Sequence, residues 1–170
     1  VLFRSPHQHP WKLGLRQRQY RKDVVWHLQY LHEVRGLSDA TIGHFEIGYD
    51  ENRCIFTYPY YDDGHLVHFK FKYKDRTNQL GNNSGGDYLF NSRGLENSQI
   101  LFVEGEHDVC SIWQRYGIEA VGIGGNFGEG SAKYLKVIAA SKDKDVYLCF
   151  DSDDAGQKYA VNFQRWLSGI

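Results

Sequence analysis

The stretch Ile100-Leu-Phe-Val-Glu104-Gly105-Glu106-His107-Asp108 decides how this chain is read. A second stretch, Asp145-Val-Tyr-Leu-Cys-Phe150-Asp151-Ser152-Asp153-Asp154-Ala155-Gly156, answers it downstream. Each opens with a short apolar run that reads as a buried strand, breaks into carboxylates and a glycine, and passes into a helical pattern. Consecutive strands of a parallel α/β sheet point the same way, so both acidic ends are expected at one sheet edge. That gathers Glu104, Asp108, Asp151 and Asp153 into one small volume, with Glu106 and Asp154 as candidates to join them. Carboxylates that close repel by several kcal/mol at an effective dielectric of about 20. They therefore call for protons or cations, and hard oxygen ligands with open positions suit Mg²⁺.

Outward from these stretches, strand and helix alternate. A strand at Ile100–Val103, a helix from Glu106 to Tyr116, a strand Glu119–Ile123, a helix Ala132–Ala140, a strand Val146–Phe150 and a helix Asp154–Trp166 are expected. Short connections between them are the pattern of a parallel sheet with helices on both faces. Upstream lies a different unit. Val24, Val25, Leu28, Leu31 and Val34 mark an amphipathic helix that Gly36 stops, and Ser38 caps a short helix from Asp39 to His44. A strand Phe45–Tyr49 follows, and then two strands, Arg53–Tyr60 and Leu66–Tyr73, form a hairpin around Asp62-Asp63-Gly64. The organisation expected is a basic arm or linker at 1–22, a small α+β subdomain at 23–97 and the parallel α/β domain at 98–170, continuing past Ile170. Residues 1–5 read as a non-native scar, and the absence of methionine marks the sequence as a piece of a longer protein.

The hairpin strand His68-Phe-Lys70-Phe-Lys72-Tyr-Lys74 alternates strictly, which predicts Phe69, Phe71 and Tyr73 on the core face and the lysines on the other. Two readings stand side by side. Lysines on an exposed edge strand discourage aggregation, whereas Lys70, Lys72 and Lys74, with Arg76 beyond them, form a stripe able to follow phosphates.

Bulk properties exclude several classes. Net charge is −1, so there is no global basic signature for nucleic acid, although Arg4, Lys12, Arg16, Arg18, Arg21 and Lys22 all precede the first acidic residue, Asp23. His7 and His9 lack partner ligands and read as a solvated tail. Cys54, Cys110 and Cys149 make no close pair, and buried thiols in a reducing compartment are expected. No run is long enough for a membrane span, so a cytoplasmic chain with no membrane partner is expected. Gly122-Ile-Gly124-Gly125-Asn-Phe-Gly128 fails the dinucleotide pattern because its third glycine position falls on Phe127, and no phosphate-loop motif of an ATPase occurs. Asp151-Ser-Asp153 alone also fits a receiver domain or a phosphatase, although a phosphatase D-x-D usually opens its domain; a helix cap fits Asp153 or Asp154 but does not explain the matched Glu104-Gly105 element. His107, His65 and His68 read as surface residues, and Trp113 and Trp166 as core.

Val103-Glu104-Gly105-Glu106-His107-Asp108-Val109 followed by Phe150-Asp151-Ser152-Asp153-Asp154-Ala155-Gly156 resembles a Toprim domain, the fold shared by bacterial-type primases, type IA and type II topoisomerases and some nucleases. Tyr30-Leu31, Arg35-Gly36-Leu37-Ser38, Phe45-Glu-Ile-Gly48-Tyr49 and the Asp62-Asp63-Gly64 hairpin with Phe69 resemble the subdomain that precedes Toprim in primases. Together these cover most of residues 24–170. The resemblance implies Glu104 as metal ligand or general acid/base, Asp151 and Asp153 as ligands of Mg²⁺ (or Mn²⁺), and Asp108 as support for the cluster. It implies RNA primer synthesis on a single-stranded DNA template from ribonucleoside triphosphates, in a bacterial or phage-infected cell, with a replicative helicase in cis or in trans. Lys70, Lys72, Lys74 and Arg76 become candidates for holding template or nucleotide. Glu106-His107 departs from cellular primases, which carry an aromatic and a hydrophobic residue there, and is more similar to phage primase–helicases. The alternatives within the resemblance are a Toprim nuclease or topoisomerase, and a non-catalytic nucleic-acid-binding module.

Overall fold

The computed structural model describes residues 28–50, 52–73, 87–124 and 127–168. The arm, Val24, Val25, Lys74, Arg76 and the loop up to Gly86 lie outside the described residues. Tyr30–Val34 forms a π-helical turn, and Gly36 ends it with φ of 66°, a conformation that glycine adopts without steric penalty. Helix α1 spans Asp39–His44, and the Ser38 hydroxyl accepts from Thr41 N as its cap. Strands β1 (Gly48–Asp50), β2 (Ile55–Asp62) and β3 (His65–Tyr73) make an antiparallel sheet in that order. The expected first strand is shorter than its pattern, because Phe45 and Glu46 form the turn leaving α1 and Glu46 adopts φ of 50°.

A 3₁₀ turn at Ser92–Glu96 leads into the second unit: β4 (Gln99–Val103), α2 (Glu106–Tyr116), β5 (Val121–Gly122), α3 (Ala132–Ser141), β6 (Asp145–Cys149) and α4 (Asp154–Leu167). Its sheet is parallel, in the order β5-β4-β6, so the expected parallel α/β architecture with an α+β unit ahead of it is present. Alternation along β4 separates two cores. Ile100 and Phe102 face Val137, Phe127 and Phe163 from the α3–α4 side. Val103 faces the other way, with Val109 and Cys110 of α2, and joins Phe56, Tyr58, Tyr60, Phe45 and Leu37 of the upstream unit. The antiparallel sheet thus shares a core with one face of the parallel one. Gln114 of α2 tightens this junction: its Oε1 accepts from Ser38 N and the Thr41 hydroxyl at 2.7 Å each, and its Nε2 donates to Gly36 O.

Two expectations about facing are corrected. Register pairs Tyr58 with Lys70, Phe56 with Lys72 and Tyr60 with His68. The lysines therefore share the face of Phe56, Tyr58 and Tyr60, all at most 2% exposed, while Phe69 and Phe71 on the opposite face are only half-buried. Alternation was legible, but a buried acidic partner on α2 inverted its sense. Among the cysteines only Cys110 is buried; Cys149 and Cys54 are exposed. β6 is an edge strand, with Asp145, Tyr147 and Cys149 turned outward, so its apolar pattern does not imply burial of every residue.

Phe163 is fully buried, with Phe127, Phe150 and Phe102 rings at 4.6, 5.3 and 5.4 Å. Phe163→Ala is expected to destabilise the chain by about 3–5 kcal/mol, measured by urea denaturation, with the largest loss of amide protection on α4.

Candidate active site

The register of the parallel sheet builds the site. Val103 pairs with Cys149, so the chain leaves both strands at the same level, and Glu104 and Asp151 emerge side by side. Asp151 N points at Glu104 Oε1 at 3.4 Å. The two carboxylates nearest them are held by helix starts, where backbone N–H groups lack intrahelical partners. Asp108 Oδ2 accepts from Gly105 N at 2.9 Å, closing the first turn of α2. Asp153 Oδ1 accepts from Gly156 N at 2.9 Å as the cap of α4. In each, that bond commits one oxygen. Gly156 is required by packing: a methyl group there would overlap the Asp151 carbonyl and stand 2.8 Å from Glu104 Oε1.

Electrostatics confirm the closeness of the set. Burial and then the charge of Asp151 raise the Glu104 carboxyl above the usual range, and Asp153 and Asp108 add to this. Burial likewise raises Asp108, with Asp151 contributing and the bond from Gly105 opposing. Among the described residues, no three His, Cys, Asp or Glu side chains stand as a group able to hold a metal ion. The chemistry of the donors nevertheless fits a hard cation: oxygen only, mutually repelling, and half-committed at Asp108 and Asp153.

Glu106 and His107 are not part of this set. Glu106 is 1% exposed and turns toward the antiparallel sheet. Lys70 Nζ donates to its Oε1 at 2.6 Å, Lys72 Nζ stands 2.6 Å from its Oε2, and the Tyr60 hydroxyl donates to Oε1. Burial pushes this carboxyl up, but Lys72 and Lys70 overcome that and leave it well below the usual carboxylate range. His107 is no surface residue: its Nε2 lies 2.6 Å from the Tyr58 hydroxyl. Burial, then Lys72 and Arg35, push it down to about 3, so the ring is neutral at physiological pH. Asp154 stays exposed in the first turn of α4. Lys72 comes within electrostatic reach of the acidic set, favouring the charged form of Asp108. Lys74 and Arg76 fall outside the described residues.

Sequence reasoning missed three participants. Tyr58 and Tyr60 carried no signal beyond their place in a strand; the structure bonds their hydroxyls to His107 and Glu106. Lys133, 1% exposed, read as an ordinary helix residue. Its Nζ donates to Ile123 O at 2.7 Å beneath the turn after β5, and burial, then Lys70, lower it to about 8. A lysine in the first turn of a helix gives no sequence signal of burial.

Residues 101–170 match a family model described as Toprim-like. DNA primases of Neisseria meningitidis serogroups A and B are each 35% identical over 83 residues, covering 47% of this chain and 13% of the relative. The chain thus spans a small part of the curated relatives it matches. Among solved structures, the Escherichia coli primase catalytic core superposes with a TM-score of 0.62 at 21% identity, covering 84% of this chain and 60% of that one. The primase fragment of the bacteriophage T7 primase-helicase superposes with a TM-score of 0.58 at 25% identity, covering 79% and 59%. A primase catalytic domain bound to single-stranded DNA gives a TM-score of 0.63 at 22% identity, covering 85% and 59%. The C-terminal part of the chain is thus similar to Toprim-like domains. With the antiparallel sheet ahead of it, the whole has the fold of a bacterial- or phage-type DNA primase catalytic core.

The raised Glu104 carboxyl has a thermodynamic consequence. A carboxyl whose folded value lies above its unfolded one contributes stability below the ordinary glutamate range, and loses it as pH rises through the raised value. At neutral pH without divalent cations, Glu104→Gln is therefore expected to melt higher than the wild type. That gain should fade below the ordinary glutamate range, where Glu104 is protonated in both folded and unfolded chains. Added Mg²⁺ should stabilise the wild type more than the variant, as read by thermal unfolding across pH.

Proposed function

We propose that this chain is the core of a DNA primase that joins ribonucleotides into short RNA primers on a single-stranded DNA template. The observation carrying the proposal is the β4–β6 register, which brings Glu104 and Asp151 together at the strand ends, Asp151 N standing 3.4 Å from Glu104 Oε1. The reaction is in-line attack of a 3′-hydroxyl on the α-phosphorus of a ribonucleoside triphosphate, forming the phosphodiester and releasing pyrophosphate. Glu104, Asp151 and Asp153 are the residues to hold Mg²⁺ (or Mn²⁺), which when bound supplies positive charge to the triphosphate and acidifies the attacking hydroxyl. As the alternative to holding metal, Glu104, whose carboxyl burial and the charge of Asp151 raise, would act as general acid/base toward the 3′-hydroxyl proton. Asp108 holds the turn after β4 through Gly105 N, keeping Glu104 at the strand end. Lys72, 25% exposed in its side chain, brings positive charge to the rim of the acidic set, where triphosphate or template phosphates would lie. Lys70, Lys74 and Arg76 continue that stripe along the sequence.

The antiparallel unit favours a primase over a topoisomerase or nuclease, because it is the feature that separates these branches of the Toprim resemblance. Likeness to a primase-helicase fragment supports a replicative helicase as partner, in cis or in trans. Among the described residues, no helix is long and apolar enough to cross a membrane.

Primer synthesis tests the proposal, using the whole protein with Mg²⁺, ribonucleotides and single-stranded DNA. The wild type is expected to make short RNA products. An Asp151→Asn/Asp153→Asn variant should lose about 100-fold or more of the rate, and chelation of the metal should abolish synthesis. DNA cleavage or relaxation with the same dependence would move the chain to the nuclease or topoisomerase branch.

A further inference from the structure

The two residues between Gly105 and Asp108 both leave the acidic set and reach into the antiparallel sheet. Glu106 meets Lys70, Lys72 and Tyr60, and His107 meets Tyr58. Asp108, next in the same helical turn, folds back onto Gly105. The first turn of α2 is therefore gripped on one side by strands β2 and β3 and on the other by the catalytic loop. We infer that Glu106 is a positioning residue rather than a metal ligand: as the buried counter-ion of Lys70 and Lys72, it locks the start of α2, and with it Asp108, against the antiparallel sheet.

Charge balance makes the lock mutual. Lys70 and Lys72 sit on the same face of one strand, and their side chains are 11% and 25% exposed. Two ammonium groups that close and that sheltered repel, and the carboxylate between them offsets that repulsion. Lys72 also lies 5.1 Å over the Tyr58 ring, whose hydroxyl holds His107. For Glu106 to join a metal it would have to abandon Tyr60 and leave both lysines uncompensated. The lysines are equally captive, so the positive rim beside Asp108 keeps its place only while Glu106 is charged. This inference rests on the primase proposal for its catalytic consequence, but not for its geometry.

The experiment is a thermodynamic cycle on Glu106→Gln, the pair Lys70→Met/Lys72→Met, and the triple variant. Removing the Glu106 charge should lower the melting temperature in the wild-type background. In the lysine-free background it should raise it, because there Glu106 is itself the uncompensated charge. If the lysine pair fails to fold, Lys72→Met alone carries the same comparison. Magnesium titration by calorimetry gives the second readout: Glu106→Gln should shift the dissociation constant by less than about twofold, while Asp151→Asn weakens it about tenfold or more. In primer synthesis, Glu106→Gln should lower kcat in the wild-type background and have no further effect once the lysines are gone. A change of melting temperature with the same sign in both backgrounds, or a loss of magnesium affinity matching Asp151→Asn, would overturn the inference. A wild type that makes no primers would instead overturn the primase proposal, leaving the melting and magnesium results to judge Glu106.

Discussion

Parallel pairing of β4 with β6 is the constraint on which everything else hangs. Its register, Val103 beside Cys149, brings two chain segments to one level and releases them there. Just beyond that level each segment turns into a helix, α2 from Glu106 and α4 from Asp154. Helix starts carry unsatisfied N–H groups and favour negative charge, which gives Asp108 and Asp153 their local partners. Glu104 Oε1 has a longer contact, Asp151 N at 3.4 Å, and the two residues are left side by side. The site is thus a by-product of strand termination, and its repulsion is tolerated because the sheet underneath is fully packed, with Ile100, Phe102 and Val103 at 0% exposure.

The antiparallel sheet adds the opposite charge. Its β3 lysines face inward, toward α2, and a single buried carboxylate holds them there. Acidic and basic groups consequently alternate in space: the carboxylate set at the strand ends, then Glu106 with Lys70 and Lys72, in the same first turn of α2 as Asp108 but facing the antiparallel sheet. Buried Lys133, beneath the turn after β5, extends the positive charge below the sheet end. Such an arrangement suits a polyanionic substrate that carries its own cations, because attraction for phosphates and attraction for metal are separated by only a few residues.

Gln114 and the packing of Val103, Val109 and Cys110 against the upstream aromatics explain why the two units act as one body at this site. Side-chain hydrogen bonds from α2 to Ser38, Thr41 and Gly36 anchor its C-terminal half, while Glu106 and His107 anchor its beginning. Helix α2 is therefore held at both ends by the α+β unit, and the orientation of Asp108 depends on residues far from it in the chain.

Much of this was legible in the sequence. The periodicities of β4, α2, α3, β6 and α4 are local properties, and their boundaries follow within a residue or two. Glycine and carboxylates after two apolar runs placed the acidic edge, since parallel strands allow no other arrangement. Burial of Glu106, the inward turn of Lys70 and Lys72, the neutral His107 and the sheltered Lys133 were not legible. Each depends on a partner from another element, and a period-of-two pattern states only that alternate residues differ in facing. Which face becomes the core is decided by what packs against it, and here a carboxylate on α2 drew the charged face inward.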